Sequence, residues 1–599
     1  MNLTAPSRIK IVLLVGVILL GFFLRSYHFE SWLHFELDQA RDARVIDDAL
    51  VGGPGELTLL GPKAGGTYLR LAPGFYYLEY LSGLLFGATP AGLATFVMWL
   101  SVFTLPVFFF FVRRYFSWYY SFLLTMLVST SAFFVMYGRF AWNPNILPFF
   151  VIIGFYALLR SVDHAEVHRG RWFLGAVFAL TLSTHAHFLA FLALPAITIA
   201  FLLLKRPRFS FGIWVGVCMM VALLYLPMAL NEYETGGRNT QEFFHAITEK
   251  STKENHPLIE KVLRNGSEHV LGALVIVTGF ERGTFPIFEW RDGWVVYGCN
   301  EKCDLGKWYG VAAALVFFCA LVSYLILWWR EEQGRKRDFL LLVGLWFLVT
   351  FILFIPLSYG FAPRFFLLSG LIFPIFLGFL FLQLGRLCGS QRIGRILALF
   401  VVGFCVVSNL DTVSGRYSEL GRASTEAIDS APDRILKDRI RVTLAQQNEI
   451  VDMFERRYEA GKYPVYMFSE PQYRRALKYL MERRGIENAV LGFDGIYQEG
   501  VYFLVLRAQS DLEDALRKYR AAYTVGETTS FGTLVAIELF PKPEAIQAKR
   551  QDFSVVKPSG DSKAPPRYTW REFFSRQQQG SDAESALDEA EGLEEDNSL

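Results

Sequence analysis

Residues 11–43 read IVLLVGVILLGFFLRSYHFESWLHFELDQARDA. The stretch opens as an apolar run long enough to cross a bilayer and closes on FELDQARDA (35–43), which packs Glu36, Asp38, Arg41 and Asp42 into nine residues. A run of about 20 apolar residues spans a hydrocarbon core. Arg8 and Lys10 give it a basic flank, as in a signal peptide. No small-x-small cleavage site follows, and many further apolar runs do, so the expectation is a retained anchor. The question is why so much charge stands at the exit of a first span.

Working outward, the same pattern of apolar runs repeats. Hydrophobic residues make up 53% of the 599-residue chain and charged residues only 19%, too little charge for a soluble protein of this size. Mean hydropathy is +0.29. Apolar segments fall at 9–27, 91–112, 117–137, 144–160, 172–184, 187–204, 211–230, 307–329, 338–357, 365–384 and 394–409. The fold class expected is a polytopic α-helical membrane protein of about 11 spans, because open-edged strands do not survive in lipid. Net charge is +2, so bulk charge names no partner and gives no ground for nucleic-acid binding. Lys and Arg gather in alternate connections: Arg113-Arg114, 160–171, 205–208, 330–337 and 385–395. The positive-inside rule makes that side, and the N-terminus, cytoplasmic.

Three large regions then lie on the opposite side. The first, 28–90, has a Gly/Pro-rich middle flanked by segments with helical periodicity, expected to lie along the interface. The second, 231–306, contains the short apolar run HVLGALVIVTGF, expected to be re-entrant or interfacial. The third follows the last span. In 411–560, YPVYMFS, VYFLVL and TLVAIELF read as strands and EPQYRRALKYLMERRG as a helix, which predicts a C-terminal soluble α/β domain. Residues 561–599 form an acidic tail, expected to be disordered. Cys299 and Cys303, in a polar loop of the second region, are spaced to close a small disulfide. A metal pair is the rival, although no second Cys/His pair stands nearby at zinc spacing.

Candidate chemistry clusters at the outer ends of spans. On a helix, Asp38 and Asp42 share a face at i,i+4, where a carboxylate can accept a proton from a hydroxyl or hold a metal. The bland alternative is a solvated helix with internal salt bridges. YGRFAWNPN (137–145) offers Arg139 to a phosphate and Asn143 to a sugar hydroxyl, or is an interfacial anchor belt. STHAHFLA (183–190) places His187 at another outer turn, as a metal ligand, an orienting group or a structural residue. SYGFAPRFF (358–366) places Arg364 at the start of a late span, suited to a lipid phosphate or to snorkelling. No glycine-rich nucleotide loop follows a strand and opens a helix.

These motifs, in this order, resemble the GT-C superfamily of polyprenyl-phosphate-dependent glycosyltransferases, in the branch of the protein O-mannosyltransferases and the lipid A aminoarabinose transferase. The residues that carry the resemblance are LDQARD, LLGP (59–62), APGFYYLEY (72–80) and Arg364-Phe365, over roughly 1–410. Two positions depart from the family pattern: Gln39 follows Asp38 where an acidic pair is common, and Asn143 and Asn145 stand where some members carry an acid. The resemblance implies an inverting transfer of a sugar from a polyprenyl-phosphate donor to a glycan, lipid or protein acceptor on the extracytoplasmic face. Asp38 would be the catalytic carboxylate, with Asp42, His187 and Asn143 as acceptor or metal candidates. Arg364, Arg139 and Lys63 would bind the lipid phosphate. Cofactors stay open between none and a divalent metal ion. The localisation implied is the plasma (bacterial inner) membrane, with the C-terminal domain extracytoplasmic. A flippase or transporter of lipid-linked sugars is the alternative, and a membrane scaffold a third reading; a transporter should carry charge near span midplanes.

Overall fold

The computed structural model describes residues 5–575, apart from 66, 253–255, 284, 292, 300–305, 429–432, 439, 490–495, 498 and 547–565. Among the described residues, eight helices are long and apolar enough to cross a membrane: Arg8–Ser26, Pro90–Val112, Asn143–Val162, Phe188–Lys205, Phe211–Thr235, Gly306–Arg330, Arg335–Leu357 and Gln391–Arg422. The other three expected spans are also helical, but shorter or broken.

The 117–137 span divides into Trp118–Thr130 and Ala132–Tyr137. At the break, the Ala132 N–H donates to Asn409 Oδ1 at 2.8 Å, and Ser131 Oγ donates to the Ile276 carbonyl at 2.7 Å. Asn409 thus satisfies an N–H that the break frees, and Ser131 at the break in turn satisfies a carbonyl of helix Leu258–Thr278. The 172–184 span is helix Arg169–Thr184. The last expected span but one is helix Ile372–Leu387. It begins later than 365, because a 3-10 turn, Pro363–Leu367, intervenes. Arg364 therefore sits on an irregular turn, not at a helix start.

Two helices occupy the first large loop, Leu37–Gly52 and Gly74–Phe86. In the second loop, the run HVLGALVIVTGF lies mostly within helix Leu258–Thr278, whose apolar half is buried against protein. The next elements are an antiparallel hairpin, β1 (Ile287–Arg291) and β2 (Trp294–Gly298). Cys299 is in a disulfide, while its expected partner Cys303 lies outside the described residues.

The C-terminal region holds β3 (Val465–Ser469), β4 (Asn488–Ala489), β5 (Val501–Arg507), β6 (Tyr523–Phe531) and β7 (Leu534–Pro541). They form one sheet in the order β4-β3-β5-β7-β6, parallel on the β4-β3-β5 side and antiparallel beyond. Helix Pro471–Arg483 links β3 to β4 and lies on helix Leu37–Gly52. There Tyr479 Oη donates to Asp47 at 2.8 Å and Arg483 pairs with the same carboxylate at 2.8 Å. Gln447 Nε2 reaches the Phe35 carbonyl at 2.8 Å. The sheet region is thereby fastened to the helix that carries Asp38.

The expectation of a wholly disordered tail is corrected within 566–575. The Leu59 N–H donates to the Tyr568 carbonyl at 2.8 Å and Trp570 Nε1 donates to Tyr77 Oη at 2.9 Å. Arg571 pairs with Glu56. The aromatic residues of RYTWREFF (567–574) give this stretch a surface to bury that the acidic remainder lacks.

Helix Gln391–Arg422, 32 residues long, extends roughly 48 Å at 1.5 Å per residue, well past a hydrocarbon core. Its polar last turns carry Arg416, which bonds both Glu281 oxygens (Nε at 3.1 and 2.9 Å) and reaches Asp433 at 2.6 Å. All three are buried. Removing one partner strands the other charges. Arg416→Ala is therefore expected to cost about 3–5 kcal/mol, read as a lower unfolding temperature in detergent; an unchanged melting curve would remove this network from the stability of the fold.

Candidate active site

Helix Leu37–Gly52 begins with a local cap, in which the Glu36 N–H donates to Gln39 Oε1 at 3.1 Å. Gln39 is thus engaged in starting the helix. One turn in, the two aspartates share a face as the spacing predicts, and Arg41 lies between them. Its Nη1 donates to Asp38 Oδ1 and its Nε to Asp42 Oδ1, each at 2.9 Å. Asp38 Oδ2 accepts from Trp142 Nε1 at 2.9 Å. Burial works to raise the Asp38 pKa. The Arg41 and Arg364 guanidinium groups, the Trp142 hydrogen bond and Arg475 outweigh it and hold Asp38 below the usual carboxylate range. Asp38 is therefore an ionised hydrogen-bond acceptor and a poor proton acceptor near neutral pH.

Arg364 comes to this carboxylate from a turn late in the chain, Pro363–Leu367. Its guanidinium lies 5.2 Å from the Trp142 ring centroid. The tip of the LGPKAGG loop (60–66) approaches it, since a Cβ on Gly65 would stand 3.7 Å from Arg364 Nη2. Lys63 is on that loop, bridged through its backbone to Arg70, with Nζ 5.9 Å from the Tyr68 ring centroid. His187 caps helix Phe188–Lys205, its Nδ1 accepting from the Leu189 N–H at 3.1 Å, and its ring is 5.9 Å from that of Phe365. Asp38, Asp42, His187, Lys63 and Arg364 thus belong to one neighbourhood.

Two residues are placed differently from their expected roles. Arg139 turns to the end of the first span. Its Nη1 donates to the Arg25 carbonyl at 2.9 Å and its Nη2 to the Tyr27 carbonyl at 2.8 Å. Its ring contact is Tyr417, at 4.9 Å. Cations at a helix C-terminus satisfy orphan carbonyls, and Arg139 does so at the end of the first span. Asn143 Nδ2 donates to the Ala186 carbonyl at 2.6 Å, tying two turns together.

The residues also bear on a metal. Among the described residues, no group of three or more His, Cys, Asp or Glu is placed to hold one. A divalent ion shared by Asp38 and Asp42 would have to displace the Arg41 guanidinium.

Other members of the neighbourhood escape sequence reading. Tyr76 Oη donates to Asp42 Oδ1 at 2.8 Å. Glu79, one turn further along helix Gly74–Phe86, is buried with neither carboxyl oxygen hydrogen-bonded. Both stand in APGFYYLEY, and their i,i+3 spacing was a readable signal. Beside the Arg364 turn lies a cavity of about 220 Å³, with Phe361, Pro363 and Phe366 as apolar wall and with Arg264, Arg434 and Lys437 set against the carboxylates of Glu268 and Asp433. Arg434 and Lys437 lie far outside the motif region, and nothing in the sequence marked them.

These features define a class: a polytopic helical membrane protein with a carboxylate–guanidinium site where the first loop meets the bundle. The chain superposes on crystal structures of ArnT from Cupriavidus metallidurans. The apo form gives a TM-score of 0.53 at 11% identity, covering 91% of this chain and 100% of that one. The form bound to undecaprenyl phosphate gives 0.51 at 12% identity, covering 90% and 99%. At such identities the likeness is one of fold. No protein-family model matches the chain, and no curated protein does.

Glu79 yields a stability prediction. Burial, then the Asp42 charge, push its carboxyl well above the usual carboxylate range, with Arg41 opposing and Asp47 adding. A folded pKa raised above the unfolded one gives stability that is full below the unfolded value and lost as pH rises through the folded value. The amide of Glu79→Gln does not titrate. Thermal unfolding of the two proteins should diverge as pH rises, with the variant the more stable; parallel curves would show that Glu79 is not held protonated.

Proposed function

We propose that this chain is an integral-membrane glycosyltransferase, moving a sugar from a polyprenyl monophosphate to an acceptor on the extracytoplasmic side. The observation that carries the reading is the pairing of Asp38, fixed as an ionised acceptor by Arg41 and Trp142, with Arg364 on the same Trp142 ring. A site for this reaction needs a carboxylate for the attacking hydroxyl or amine and a cation for the departing phosphate. The fold adds weight: it is shared with ArnT, a structure of which holds undecaprenyl phosphate.

In this reading the acceptor donates a hydrogen bond to Asp38, which aims its lone pair at the anomeric carbon. The new glycosidic bond forms as the bond from that carbon to the phosphate oxygen breaks. The electron pair leaves on the lipid phosphate, so one attack inverts the anomeric centre. Arg364 stabilises the charge that develops there. Because Asp38 is held ionised and is a weak base, its role is to orient the acceptor, and the proton that the acceptor loses passes to the departing phosphate, whose basicity grows as its bond to the sugar breaks. Lys63 lies on the loop that closes over Arg364. Arg139 has no part in phosphate binding here. No step is routed through a metal ion.

The test is transfer of radiolabelled sugar from polyprenyl-phosphate donors in membranes at matched expression. Asp38→Asn keeps the Trp142 and Arg41 geometry nearly isosteric and is expected to cut transfer by about 10²-fold or more, while the variant still melts as a cooperatively folded protein. Arg364→Ala should do likewise, whereas Arg139→Ala should lower stability first. Equal transfer by wild type and Asp38→Asn would remove Asp38 from the chemistry, and no transfer from any donor would overturn the reading.

A further inference from the structure

The β1–β2 hairpin is a lone two-stranded ribbon, and such ribbons are marginally stable by themselves in water. Its register sorts the side chains into two faces. Phe288 stands opposite Tyr297 and Trp290 opposite Val295, giving one wholly apolar face. Glu289, Arg291, Trp294 and Val296 share the other face, with an Arg291–Glu289 ion pair at 2.9 Å.

The base of the apolar face has a partner. Tyr297 Oη donates to the Gly310 carbonyl at 2.9 Å, and the Phe288 ring is 5.9 Å from that of Phe318. Both contacts are on helix Gly306–Arg330, a candidate membrane span. Phe318 is itself 46% exposed, on a side of the span that also exposes apolar residues such as Leu315 and Val322. The outer half of the same ribbon face, Trp290 (46% exposed) and Val295 (52%), continues past the helix and is left open by the described residues. Trp308, 70% exposed, stands in the first turn of the span. Tryptophan and tyrosine concentrate at membrane–water interfaces. The ribbon has unpaired strand edges, which would be costly in the hydrocarbon core, so its level is the interface.

We infer that the β1–β2 ribbon is a membrane-interface anchor: its Phe288/Trp290/Val295/Tyr297 face lies on the lipids around helix Gly306–Arg330, and its Glu289–Arg291 face meets head groups and water. The occupant of the apolar face is the bilayer, because that face is continuous with the lipid-exposed side of a span. The anchor would hold helix Leu258–Thr278, to which the ribbon is tied by the Phe288 N–H donating to Ser267 Oγ at 2.7 Å. That helix carries Arg264 of the cationic cavity.

The test uses the full chain in lipid nanodiscs, comparing wild type with Trp290→Phe, a substitution that keeps an aromatic ring in place. The fluorescence lost in the variant reports Trp290. It should be blue-shifted and quenched by lipids brominated near the head-group end of their acyl chains, with little quenching by aqueous iodide. Quenching by iodide and not by bromolipid would place the face in water and overturn the inference. Quenching by neither would mean that protein, including a second copy of the chain, covers it, and would overturn it equally. A matching melting temperature for the two proteins confirms that the comparison is between folded states.

Discussion

Arg41 lies between Asp38 and Asp42, 2.9 Å from each, at the point where the first loop meets the helical bundle. Charges buried in this way persist only when paired and hydrogen-bonded. Arg41 supplies the pairing, Trp142 adds a hydrogen bond to Asp38 and Tyr76 one to Asp42 Oδ1, while Asp42 Oδ2 is buried without a hydrogen-bond partner among the described residues. The segment that opens this account is charged because one cation keeps two carboxylates at the edge of an apolar bundle, one of them facing Arg364 and the other turned inward toward Glu79.

Much of the surrounding architecture holds that helix in place. The C-terminal sheet region grips it through Tyr479 and Arg483 on Asp47. The Arg567–Ser575 region straps the loop beyond it, and Arg139 closes the end of the first span just before it. Arg416 ties the long last helix to Glu281 and Asp433, next to the cationic cavity. The sheet region thus has a mechanical relation to the site whether or not it meets a substrate.

The spans and their order were legible because apolar length is a direct consequence of bilayer thickness. The strands of the sheet were legible from their short apolar runs. Asp38, Asp42 and Arg364 were legible from helical spacing and motif order. What failed was direction. Arg139 and Trp142 stand three residues apart in YGRFAWNPN, and composition gave no reason to expect one to turn back to helix-end carbonyls and the other forward to Asp38. Arg434 and Lys437 join the Arg364 neighbourhood only through tertiary packing. Residues 566–575 were hidden by the acidic composition around them, although their aromatics marked a surface to bury.

The most direct measurement is release of polyprenyl phosphate alongside sugar transfer by the purified protein from neutral pH down through the ordinary carboxylate range. The account predicts one lipid phosphate released per sugar transferred. It also predicts a rate that does not fall as pH drops through the ordinary carboxylate range, since Asp38 stays ionised below it. Transfer without matching phosphate release, or a rate that tracks an ordinary carboxylate titration lost in Asp38→Asn, would contradict it.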